Sequence, residues 1–248
     1  MEKHEKPQKK NRHRFVVDQH VFPVASIARF LNNKKGVSFH DKLRDIVRVT
    51  NPHDVAFCAR RAWSQWAETG YMKRIEDKFQ CVANDIISGD ILNINEDVKT
   101  IVNNFYALWY MRSRSRNLET QEIQANGLAG NSLTLDQEED LELNGYAMLV
   151  RQGGKIPARQ INAIQLHTKI YKYSNNNLSD TQWGIIHAQA GEFIVPDVPK
   201  YVIVPLTPEI SLISPAPNGV ISSSNVAEIN RNVREASQEY FFARDFSK

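Results

Sequence analysis

Five side chains in this 248-residue chain have the types that acid–base and phosphoryl chemistry requires: His20, Glu68, Glu76, Arg112 and Asp197. An imidazole among carboxylates moves protons, or serves in a hard-to-borderline donor set suited to Mg²⁺ or Mn²⁺ and so to phosphodiester hydrolysis. In that scheme His20 is the acid/base or a ligand, and Glu76 and Asp197 hold the metal. Arg112 or Lys73 stabilises phosphate charge. Spacing limits the scheme. Glu68 and Glu76 are eight positions apart in one predicted helix, ~12 Å along its axis at ~1.5 Å per residue. At most one of them ligates an ion unless the helix breaks near Gly70. The structural alternative has Glu76 neutralising Arg112 between two helices, His20 bonding a backbone group, and Asp197 forming a turn.

The helix that carries the two glutamates lies within 57–89. Ala62, Trp63, Trp66, Ala67, Tyr71, Ile75, Phe79, Val82, Ala83 and Ile86 recur at spacings of three and four, with Gly89 as a stop. Gly70 predicts a kink or a close backbone approach. Beside the stripe, Arg60, Arg61, Lys73 and Arg74 are the candidate nucleic-acid contacts; a solvated charged face is the plainer reading. A second helix over 96–112 buries Val98, Val102, Phe105 and Trp109, with Asn93 or Asn95 as its cap. Continuing its apolar spacing lands on Arg112, which therefore needs an anionic partner or a route to water.

Short strands are predicted at 37–40 and 45–50, and a helix over 157–173. Strands follow at 182–188, 192–195, 201–204 and 210–213. A closing helix starts near Asn225, with Val233, Ala236 and Tyr240 on its buried face. The expected fold class is α+β: a helical N-terminal two-thirds packed against a small, mostly antiparallel C-terminal sheet with a closing helix.

Charge is unevenly distributed. Residues 1–14 hold six of the 31 Lys/Arg and two of the 28 Asp/Glu, leaving 25 and 26 in the rest. This predicts a disordered basic tail over 1–14 and a single domain over 15–248 with no broadly basic body. Residues 117–155 read as a mobile excursion, because Asp136–Glu142 places five acids in seven positions. No apolar run is long enough for a membrane span, and no signal-peptide pattern opens the chain. Cys58 and Cys81 have no zinc spacing and read as core thiols in a reducing cytoplasm. The absence of GxSxG, GxxxxGK[ST] and GxGxxG argues against serine hydrolases, P-loop NTPases and Rossmann dehydrogenases.

Several segments in order carry a resemblance: His20-Val21-Phe22-Pro23, then Ala67-Glu68 with Ile75-Glu76 and Phe79, then a helix ending at Arg112. Pro196-Asp197-Val198-Pro199 and Pro205-Leu206-Thr207-Pro208 complete it. Together they resemble a mainly bacterial domain-of-unknown-function family with an N-terminal His-Tyr-Val-Pro-type motif and a C-terminal Pro-Leu-Ser-Pro-type motif. Pro196 and Thr207 stand where that family has serines. The resemblance sharpens the choice of residues and implies no activity. Two functions are therefore carried forward. One is a cytoplasmic metal-dependent nuclease acting on RNA or DNA, of the toxin or phage-defence type. The other is a non-enzymatic interaction module that binds a protein partner through residues 126–145.

Overall fold

The described residues of this computed structural model are 5–117 and 122–246; residues 1–4 of the tail and 118–121 of the excursion lie outside them. The chain opens with β1 (Asp18–His20), α1 (Val24–Ala28), β2 (Val37–Asp41), β3 (Ile46–Thr50) and β4 (Cys58–Arg60). A short α2 (Gln65–Ala67) runs through a π turn (Glu68–Met72) into α3 (Lys73–Ser88), followed by α4 (Glu96–Ser115). Next come β5 (Ile123–Gln124), α5 (Leu135–Leu143), β6 (Lys155–Ile156) and α6 (Ala158–Asn176). The last part holds β7 (Gly184–Ala188), β8 (Val195–Pro196), β9 (Ile203–Pro205), β10 (Ile210–Ile213), β11 (Gly219–Ile221), α7 (Ser223–Ala236) and β12 (Tyr240–Ala243).

The expected α+β layout is overturned. The architecture is mixed α/β, with sheets spread through the chain: β3-β2-β12-β8, β11-β7-β10-β9, and the ribbons β1-β4 and β5-β6. The first sheet shows why. β12 runs antiparallel to β2, with Phe242 opposite Phe39, and on its other side antiparallel to β8, with Phe241 opposite Pro196. Aromatic contact fixes this join: Phe39 stacks on Tyr240 at 4.9 Å, and Phe57 meets Phe242 edge-on at 5.2 Å. The end of the chain therefore completes a sheet begun by its first fifty residues.

Two local expectations change with it. Tyr240 belongs to a fully buried strand, not to the closing helix, which ends at Ala236 and takes its cap from Ser222. Residues 58–64 form β4 and a turn ahead of the long helix, so Trp63 packs from outside it. The strand expected at 192–195 is reduced to β8 at Val195–Pro196 and that at 201–204 to β9 at Ile203–Pro205, while β1, β5, β6 and β11 lie outside the expected strands. Asn95 caps α4 by accepting from the Val98 N–H at 2.9 Å, and Gly89 ends α3 at φ 85°. Phe79 of α3 lies flat on Phe105 of α4 at 3.5 Å, and α4 also packs against α6. Cys58 is buried, while Cys81, expected in the core, is exposed. Among the described residues no helix is long and apolar enough to cross a membrane.

Candidate functional site

Arg112 is the centre of the site. Its side chain is 1% exposed, projecting from the last turns of α4 into the core. One guanidinium nitrogen donates to Glu76 Oε1 and, at 3.2 Å, to the His20 carbonyl; the other donates to Glu68 Oε2 at 3.2 Å. The indole of Trp63 faces the guanidinium, 5.3 Å from its carbon, and its N–H donates to Glu68 Oε2 at 2.5 Å. A regular helix would hold the two glutamates too far apart for one partner. The π turn solves this. Gly70 leaves the helical region there, at φ −96° and ψ −107°, so the carboxylates before and after the break reach the same fork. Burial pushes the Glu68 carboxyl above its ordinary range, against the attraction of Arg112 and the Trp63 hydrogen bond.

His20 stands at the end of the β1–β4 ribbon, opposite Cys58. Its Nε2 is 3.0 Å from the Pro52 carbonyl. A carbonyl only accepts, so Nε2 carries the hydrogen and Nδ1 keeps its lone pair. Burial lowers the pKa of His20, only partly offset by the Pro52 hydrogen bond, so the imidazole is neutral near pH 7. The exposed ring of His53 lies edge-on to it with centroids 6.0 Å apart. His53 is absent from the sequence-based candidates. A lone loop histidine has no periodicity to betray it; its one signal is the neighbouring Asn51-Pro52 turn, which sets both rings.

That loop is held by Asp54, which accepts from Arg48 at 2.7 Å, from the Thr50 hydroxyl, and from the Ala56 N–H at 2.8 Å. Hydrogen bonding from Arg48 is the main cause that brings its carboxyl down to about 2. Because the folded pKa lies below the unfolded one, the Asp54 contribution is full above about pH 4 and is lost as pH falls towards 2. In acid titrations followed by circular dichroism, Asp54→Asn should be less stable than wild type at pH 6, with the gap closing towards pH 2. A constant gap would show that ionisation of Asp54 does not hold the loop.

The remaining candidates do not join this cluster. Asp197 is buried and accepts from four backbone N–H groups: Val198 at 2.8 Å, Gln238 at 2.9 Å, Glu239 at 2.6 Å and Tyr240 at 3.4 Å. It ties the start of β12 to the end of β8, an extended form of the turn role. Its oxygens are thereby occupied, as are those that Glu68 and Glu76 direct at Arg112. Among the described residues no three His, Cys, Asp or Glu side chains group as metal ligands. Of the four nucleic-acid candidates, Lys73 pairs with Asp77 and Arg61 is buried against Glu139. Arg60 is exposed, 3.5 Å from Asp18, and Arg74 lines a separate groove on α3.

The acidic excursion is also not a free arm. Glu138, Glu139 and Glu142 are buried, and they meet Arg151, Arg61 and Arg159 respectively. Residues 5–14, expected to be disordered, pack onto the same helix. Glu5 pairs with Arg151 and Arg159, the Gln8 N–H donates to Glu139 at 2.9 Å, and His13 meets Asp136 at 2.7 Å. Most of the charge expected to attract a partner through 126–145 is thus spent inside the protein.

Comparison with protein-family models, curated proteins and solved structures returns no match. The functional reading therefore rests on the residues themselves.

Proposed function

We propose that this protein is an RNA-cleaving phosphodiesterase in which His20 and His53 move the protons. The observation that carries it is the paired imidazoles, 6.0 Å apart, one of them fixed with a free Nδ1. In this scheme a phosphate docks against both rings, and proton transfer requires its attacking and leaving oxygens each to come within hydrogen-bond reach, about 2.6–3.2 Å, of one of them. Nδ1 of His20 takes the proton of a ribose 2′-hydroxyl as that oxygen bonds to the adjacent phosphorus. The bond from phosphorus to the 5′-oxygen breaks, and His53 gives its proton to the departing oxygen. The products are a 2′,3′-cyclic phosphate and a 5′-hydroxyl. Arg60, exposed on the same face of the ribbon, supplies positive charge for the phosphate. Arg112 holds the backbone and side chains behind His20 in place and does not face the substrate.

The test compares RNA with DNA of the same sequence, each with and without EDTA. RNA should be cut to cyclic-phosphate ends, DNA should remain intact, and EDTA should change neither. His20→Ala and His53→Ala should each slow cleavage by about 10²–10⁴-fold while Tm stays near that of the wild type. With His20 depressed by burial, the acidic limb of kcat/KM should fall below the ordinary histidine value of about 6.5. Uncut RNA, cleavage of DNA at a similar rate, loss of activity in EDTA, or full activity in both variants would each overturn the proposal.

A further inference from the structure

A groove of about 270 Å³ lies where α3, α4 and α6 meet. Arg74 and Lys78, one helical turn apart on α3, form one wall. Like charges at this spacing repel one another. Neither has an acidic partner among the described residues, whereas Lys73 beside them is paired with Asp77. His167 of α6 forms the opposite wall, its ring 4.4 Å from that of Tyr71, whose hydroxyl donates to the Ala163 carbonyl at 2.9 Å. The floor is apolar, made by Ile75 and Ile101. Asn104 adds a side-chain amide that makes no hydrogen bond within the described residues.

Unneutralised cations at one end, a flat apolar floor beside an imidazole, and an unspent amide match a ligand that is anionic at one end and planar and polar-edged at the other. We propose that this groove binds a mononucleotide, with its phosphate on Arg74 and Lys78, its base on Ile75 and Ile101 beside His167, and a base edge on Asn104. The volume is just below the usual range for ligand pockets, ~300–1,000 Å³, and so suits one nucleotide and not a longer strand. The site shares no residue with the His20 cluster and does not depend on the cleavage reading.

Isothermal titration of the full chain with 5′-AMP, 5′-GMP, 5′-CMP and 5′-UMP, with adenosine and inorganic phosphate as controls, tests it. At least one monophosphate should bind tenfold or more tightly than either control. Arg74→Ala/Lys78→Ala should remove that tenfold and leave adenosine binding and Tm unchanged, because both side chains are exposed. His20→Ala should bind as wild type does, which separates this site from the proposed cleavage centre. Phosphate binding as tightly as every nucleotide would reduce the groove to a nonspecific anion patch. No nucleotide binding at millimolar concentration, or unchanged binding in the double variant, would also overturn the assignment.

Discussion

Replacing Arg112 by alanine should destabilise the protein by about 3–5 kcal/mol, the usual cost of leaving a buried charge without its partner. The guanidinium is shared by Glu68 and Glu76 and holds the His20 carbonyl, so its loss leaves two carboxylates facing each other across a cavity. Urea denaturation at pH 7.5 measures the effect. Two further readings identify the cause. The folded-state pKa of Glu68 is already raised by burial, so protonating it favours the folded form, and the deficit should shrink as pH falls. Glu76→Gln in the Arg112→Ala background should recover part of the loss, because it removes one of the stranded charges. A deficit below about 1 kcal/mol, the usual scale of an exposed pair, would mean that the fork is not what holds the π turn.

A comparable loss is expected from Glu142→Ala at the other polar cluster. Glu142 and Arg159 are each 1% exposed. Glu142 Oε2 accepts from Arg159 at 2.7 and 2.9 Å, while Oε1 accepts from the Gln65 N–H at 2.7 Å. The alanine variant strands a buried guanidinium, about 3–5 kcal/mol, and a buried N–H, about 1–3 kcal/mol more. Hydrogen exchange should show residues 5–16 and the α5 region losing protection together, because Glu5 and Glu142 share Arg159. Replacing the pair jointly, as Glu142→Leu/Arg159→Met, should recover the part due to the stranded guanidinium, since apolar substitutes for buried ion pairs are often neutral or better, while the cost of the unpaired Gln65 N–H remains. Independent opening of the two segments would show that they are not one unit.

The contrast between the two clusters explains what was readable in the sequence. Arg112 was conspicuous because it continues the spacing of Val98, Val102, Phe105 and Trp109, and a charge on an apolar stripe demands a partner. Gly70 likewise marked the break that lets Glu68 reach it. The second cluster left no such trace. Its arginines, at 61, 151 and 159, are scattered through the chain, and its glutamates sit in a run whose composition reads as solvated. Only the fold brings them together. β12 was hidden differently: Tyr240 continues the spacing of Val233 and Ala236, so the pattern favours helix. The chain turns at Ser237 because the N–H groups that follow bond to Asp197, about forty positions away. No local pattern encodes that partner.

The central place of β12 in its sheet has a consequence for biosynthesis. β2 and β3 can pair as soon as residue 50 has left the ribosome, but the other edge of β2 waits for Tyr240–Ala243. At about 5–20 residues per second, that wait is on the order of 10–40 s. Throughout it a nascent hairpin offers unpaired N–H and C=O groups, while Ile46, Val47 and Val49 remain exposed even in the finished fold. Pairing across about 200 positions is also slow, because the loop must close before any contact rewards it. The protein is therefore built so that its first sheet is the last part to be secured, and chaperone demand should fall on the unfinished chain.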